Sequence, residues 1–289
     1  MPTASHKLKV RKAYQTLAWT AFRGATGING LALVIICVFL FRNGLSAITW
    51  SFLTEAPRDS MTAGGIFPCI VGTVLLSVGS MLVAFPLGVA AAIYLNEYAR
   101  PGRTLRFIRL GINNLAGVPS VVFGLFGLAF FVIFFGFGVS LLSGVLTLAI
   151  LILPVIIGTS EEALRSVPNT YREASLGLGA TKWQTIRLVV LPAAVPGMLT
   201  GAILGLSRAA GETAAIMFTA SVFYTPDLPT SIFSPVMALP YHVYVLATAG
   251  TNIDKTRPLQ YGTALVLIAL VLGMNLAAIW LRARLQKRR

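Results

Sequence analysis

Ser207-Arg208-Ala209-Ala210-Gly211-Glu212-Thr213 stands inside an otherwise apolar stretch of this sequence. Charge is expensive in hydrocarbon, so an ionisable pair in such a place is first a functional candidate. Arg208 and Glu212 are four residues apart, a spacing that puts both on one face of a continuous helix. Two readings stay open from the chemistry alone. In one, the pair neutralises itself and locks its helix against its neighbours. In the other, the Arg208 guanidinium presents its planar fork to an oxyanion, since that fork matches phosphate-type oxygens two at a time. Glu212 would then orient Arg208 and keep its charge tolerable in an empty site, or accept a hydrogen bond from a protonated oxyanion.

Covalent chemistry finds little material. Cys37 and Cys69 lie in or beside apolar runs and read as packed or lipid-facing thiols, with no disulfide framework and no metal spacing. His242 reads as a surface residue, and the only other histidine, His6, lies on the opposite side of the membrane in the topology derived below. A G-x-x-x-x-G-K-[ST] phosphate loop is missing; Gly177-Leu178-Gly179-Ala180-Thr181-Lys182 lacks both its spacing and its Gly-Lys pair. The chain is therefore expected to be no enzyme, to bind no cofactor or metal itself, and to hydrolyse no ATP.

The elements that hold Arg208 follow from composition. Of 289 residues, 56% are hydrophobic and 11% charged, against about 25% charged in an ordinary soluble chain. Helical crossings need about 20 apolar residues each. Apolar stretches supply six: about 24–41, 70–94 with Pro86 as a kink, 117–136, 141–157, 196–220 interrupted by Arg208 and Glu212, and 258–281. Gly136-Phe137-Gly138-Val139-Ser140 reads as the turn between the third and fourth. Six crossings put both termini on one side. Eighteen Lys and Arg residues fall on that side and four on the other, which places both termini in the cytoplasm. The excess of basic residues is thus topological, and nucleic acid is not an expected partner. Residues 1–23 form a basic cytoplasmic segment that anionic lipid could hold, and residues 24–289 the transmembrane domain. The basic residue left over from both counts is Arg208. Gly197, Gly201, Gly205 and Ala209 make a small-residue stripe beside it, suited to close helix packing.

The cytoplasmic loop of about 161–192, between the fourth and fifth crossings, carries the most local structure. Thr170-Tyr171-Arg172-Glu173 fits a capping box, with Thr170 as N-cap and a short helix over Tyr171 to Leu176. Thr181-Lys182-Trp183-Gln184 repeats the pattern, and Gly177 and Gly179 are available for a left-handed cap between the two helices.

The longer spacing in this loop carries a family resemblance. Glu173-Ala174-Ser175, then Gly179, Val189 and Leu191-Pro192, resembles the E-A-A signature of ABC importer permeases, with Ser175 and Val189 as departures. Gly64-Gly65, Gly117-Val118-Pro119-Ser120 through Gly127, and Arg208 through Gly211-Glu212-Thr213 look like the permeases of the high-affinity phosphate ABC importer. Ala238-Leu239-Pro240-Tyr241 and the last span to Asn275 look like its A-type subunit. The resemblance covers roughly residues 60–289. It implies an all-α integral membrane protein with type I ABC importer permease (MetI-like) architecture, in a bacterial inner membrane. It also implies docking of the loop helix, with Tyr171, Arg172, Glu173, Ala174, Leu176 and Gly179, in a groove of a separate ATPase dimer that uses ATP and magnesium. Arg208, Glu212 and Thr213 would line the substrate pathway. The implied partners are a second, homologous permease subunit forming a heterodimer and an extracytoplasmic phosphate-binding protein, docking near Tyr224, Asp227, Tyr241, His242 and Tyr244. A permease for sulfate, molybdate or phosphonate, and a gradient-driven secondary transporter using Arg208 and Glu212 as a relay, are the alternatives.

Overall fold

The computed structural model describes residues 4–249 and 253–287. Helix α1 (Ala4–Gly44) is followed by a short α2 (Trp50–Thr54) and a two-stranded hairpin of β1 (Pro57–Arg58) and β2 (Ala63–Gly64). Then come α3 (Phe67–Ile93), closed by a π turn at Tyr94–Tyr98, α4 (Arg103–Ala116), and α5 (Ser120–Gly127), which runs on as a π segment to Phe134. Helix α6 (Leu141–Arg165) leads to α7 (Asn169–Gly177) and α8 (Lys182–Thr185). The chain finishes with α9 (Leu191–Ala210), α10 (Ala214–Met217), α11 (Leu239–Thr248) and α12 (Ile253–Lys287). Among the described residues five helical stretches are long and apolar enough to cross a membrane, and α4 with the α5 segment makes a sixth only as a pair bent by 100°.

Helices α3, α6 and α9 form the centre. Leu76, Ala84, Leu148, Ile152, Ile156 and Ala209 share one buried cluster. Lipid gives these helices no hydrophobic reason to associate, so close backbone approach and local hydrogen bonding must hold them. The glycine stripe supplies the approach. A Cβ on Gly197 would lie 2.6 Å from Ala163 Cβ, and one on Gly201 would fall on the Thr159 hydroxyl. Buried hydroxyls turn back onto their own helices: Thr73, Ser77 and Thr147 donate to the carbonyls of Cys69, Thr73 and Ser143 at 2.6–2.7 Å. That satisfies each hydroxyl where no water can.

Several boundaries differ from those expected. Helix α1 continues through 1–23 as far back as Ala4, so the basic segment and the first span are one helix over the described residues. Arg103, Arg106 and Arg109 do not sit in a plain loop but on α4, whose Leu105, Arg109 and Ile112 turn inward while the rest of the helix is exposed. The third span begins as a helix at Ser120 rather than 117, because Pro119 adopts an extended ψ of 140° and ends the turn. Helix α6 does not stop at 157; it carries Glu161, Glu162 and Arg165 as its last two turns. The expected fifth span over 196–220 is broken at Gly211, where α9 ends.

Candidate functional site: a broken fifth span and a capped two-helix loop

The break changes the geometry of the buried charges. Arg208 lies in the last turn of α9, where a cation also meets the negative end of the helix dipole. Gly211 caps that helix, and Glu212 and Thr213 follow outside it, before α10. The expected shared helix face is therefore absent: no ion pair joins Arg208 to Glu212, although both side chains are half-buried. Four-residue spacing brings side chains together only on a continuous helix. Beside Arg208, Ser207 Oγ lies 2.7 Å from Asn275 Oδ1 and 2.9 Å from the Ile203 carbonyl, which joins α9 to α12.

The segment after the break is clasped by α5. A Cβ on Gly124 would stand 2.9 Å from the Ala214 carbonyl oxygen and 3.0 Å from Ala215 Cα. The Gly117–Gly127 stretch thus packs on the residues that directly follow the Arg208–Thr213 stretch.

In the loop, the second capping box forms as expected. Thr181 Oγ1 accepts from Gln184 N–H at 3.3 Å, and Gln184 Oε1 accepts from Thr181 N–H at 2.8 Å. The first does not. Helix α7 starts at Asn169 after Pro168, with no side-chain cap. The proline holds φ at −57° and ψ at 139°, which sets the helix start before Thr170 can serve as N-cap. The C-terminal end closes with Gly179 N–H donating to Leu176 O at 3.0 Å and Ala180 N–H to Ser175 O at 3.2 Å. This is a Schellman arrangement, and Gly179 takes its left-handed position at φ +85°.

Helix α7 divides its expected docking residues between two sides. Tyr171, Glu173, Ala174, Leu176 and Gly179 are exposed, and the neighbouring Leu178 is 90% exposed. Arg172 turns the other way, with its side chain 18% exposed. It pairs with Glu97 of the π turn at 2.8 Å and donates to the carbonyls of Val167 and Leu164 at 2.8 and 2.9 Å. Those carbonyls belong to the end of α6 and the bend beyond it, where intrahelical donors run out.

Sequence reasoning missed Glu97, Arg109 and Glu161. Arg109 Nε donates to Glu161 Oε1 at 3.2 Å, its Nη2 to Leu95 O at 3.1 Å, and Arg165 reaches the other Glu161 oxygen at 3.3 Å. Glu97 and Glu161 are the first charges after two long uncharged stretches, a signal that marks span ends but names no partner. His242 is also corrected: it is buried, 4% exposed, with Nδ1 unpartnered, and burial lowers its pKa from 6.5 to about 4.

A helical membrane protein with a broken, charge-bearing fifth span and a two-helix loop ahead of it has the architecture of an ABC importer permease. Residues 84–289 match the family of binding-protein-dependent transport system inner membrane components, and the chain is a member of that family. It is 36% identical over 283 residues to the probable ABC transporter permease protein YqgI of Bacillus subtilis, covering 91% of this chain and 96% of that one. It is 34% identical over 285 residues to the phosphate transport system permease protein PstA 1 of Mycobacterium tuberculosis strain H37Rv, covering 96% and 91%. In fold it resembles a bacterial alginate ABC transporter, with TM-score 0.66 at 16% identity over 93% of this chain and 94% of that one. It also resembles the MetNI methionine ABC transporter, with TM-score 0.58 at 21% identity over 76% and 94%. The chain is thus a permease subunit, and ATP hydrolysis in such systems belongs to a separate subunit.

Proposed function

We propose that this permease passes inorganic phosphate across a bacterial inner membrane by alternating access, as one half of a heterodimer with a second, homologous permease. An ATPase dimer using ATP and magnesium drives it through the α7–α8 loop, and an extracytoplasmic phosphate-binding protein delivers the substrate. The observation that carries this reading is Arg208, a half-buried guanidinium with no carboxylate partner among the described residues, at a helix break whose far side is clasped by α5. A half-buried cation without a carboxylate beside it favours a counter-charge, and a tetrahedral oxyanion supplies one that fits the fork. Glu212 and Thr213, free of the helix, add an acceptor and a hydroxyl beside the same break. Phosphate rather than another oxyanion is favoured by the relatives named as phosphate permeases.

The test is ATP-dependent phosphate uptake by the reconstituted complex, with sulfate, molybdate and phosphonate as competitors. Arg208→Ala should lower uptake by about 30-fold or more while the complex still assembles. Arg208→Lys should recover little, because lysine keeps the charge and loses the fork. Stronger competition by another oxyanion than by phosphate itself would transfer the substrate assignment to that ion. Normal uptake by Arg208→Ala would remove Arg208 from the pathway.

A further inference from the structure

Three cations from three separate elements converge on one short turn. Arg109 of α4 donates to the Leu95 carbonyl at 3.1 Å, Arg172 of α7 pairs with Glu97 at 2.8 Å, and Lys182 Nζ of α8 stands 4.9 Å from the Tyr98 ring centroid. Leu95, Glu97 and Tyr98 all belong to the π turn Tyr94–Tyr98 that ends α3. Such single-turn widenings of a helix recur at functional positions. Here the turn closes by Ala99 N–H donating to Tyr94 O at 2.9 Å, and the Leu95 carbonyl takes its bond from Arg109.

Two of the three cations also hold α6. Arg109 bonds Glu161, and Arg172 bonds the Leu164 and Val167 carbonyls. The weight of these contacts is greatest for α4, which has no buried residue and leans inward only through Leu105, Arg109 and Ile112. With so little apolar area to seat it, the position of α4 follows its polar attachments. Helix α4 in turn leads through a 100° bend into α5, whose Gly124 backs onto Ala214 and Ala215 just past Arg208. A continuous chain of contacts thus runs from α7 and α8, through the π turn, to α4, α5 and the residues that follow the break in the fifth span.

We propose that the π turn Tyr94–Tyr98 is the joint that passes displacement of the cytoplasmic loop to α4 and the bent third span, with Arg172–Glu97 and Arg109 as its pins. This rests on the reading that the loop docks a separate ATPase. Arg172 and Glu97 are positioning residues: they touch neither substrate nor nucleotide, and they keep two elements moving as one.

The assembled complex of permeases, ATPase and binding protein, reconstituted in liposomes, allows the test. Glu97→Gln should leave ATPase co-purification and ATP hydrolysis unchanged while phosphate moved per ATP falls about tenfold. Tyr98→Leu, at an exposed ring whose loss does not threaten folding, should lower the same ratio about twofold. In a background with Cys37 and Cys69 replaced by alanine, Glu97→Cys with Arg172→Cys should be uncoupled as thiols. Joining the two with a short bifunctional thiol reagent should restore the ratio, because a pin needs only to hold. An unchanged ratio in Glu97→Gln, or a bridged pair no better than the free thiols, would overturn the joint. Phosphate uptake that is absent from the parent complex would overturn the transport reading and the joint with it; normal parent uptake with fully coupled variants overturns the joint alone.

Discussion

The Thr73 hydroxyl accepts the backbone N–H of Leu239 at 2.8 Å and donates to the Cys69 carbonyl at 2.7 Å. One buried oxygen therefore closes the start of α11 onto the outer part of α3. Thr73→Val keeps the shape and removes both bonds, leaving the Leu239 N–H buried without an acceptor. We expect a loss of about 1–3 kcal/mol, read as a lower thermal midpoint in detergent. Thr73→Ser should restore most of it, because the serine hydroxyl can make the same two bonds.

Gly201 lies where α9 presses on α6, and a Cβ there would fall on the Thr159 hydroxyl. Gly201→Ala should destabilise by about 1–3 kcal/mol through overpacking. Adding Thr159→Ala should recover part of that loss, since the side chain that must give way is removed. A double variant as unstable as the single one would show that the contact is not the cause.

Gly179 holds φ +85° at the end of α7, where a side chain strains the backbone. Gly179→Ala should cost the loop about 1–2 kcal/mol. Because the Schellman turn sets the angle between α7 and α8, the same change should weaken retention of the ATPase on the purified permease. Gly179→Asn should be the milder substitution, as asparagine enters the left-handed region more readily. Equal retention by the parent and Gly179→Ala would separate the turn from docking.

Burial holds the His242 pKa at about 4, below the ordinary 6.5. Above pH 6.5 the folded and unfolded chains both carry a neutral imidazole, and His242 contributes nothing to pH dependence. As pH falls from 6.5 towards 4 the unfolded chain takes up its proton first, so stability drops across that window. Thermal midpoints measured from pH 7.5 to 4.5 should fall less steeply in His242→Gln than in the parent. Parallel curves would show that His242 does not carry the effect.

Composition alone marked this chain as a membrane protein built of long apolar helices, because hydrocarbon thickness acts on local sequence, and the bias of its basic residues gave an expected orientation. The second capping box and the left-handed Gly179 were equally legible, since each is a bond or a dihedral within a few residues. Tertiary structure decided the rest. Periodicity carried Arg208 and Glu212 onto one helix face, but the helix ends at Gly211 and parts them, and residues 214–220 beyond it pack against α5 and α6 instead. Thr170 had the right residue type for a cap, and Pro168 started the helix first. Arg172 stood among six loop residues that the family resemblance marked for an outside partner. Only the fold brings Glu97, 75 residues away, to meet it. A local pattern names which groups can pair, whereas the partner of a buried charge is chosen by whichever element the chain folds against it.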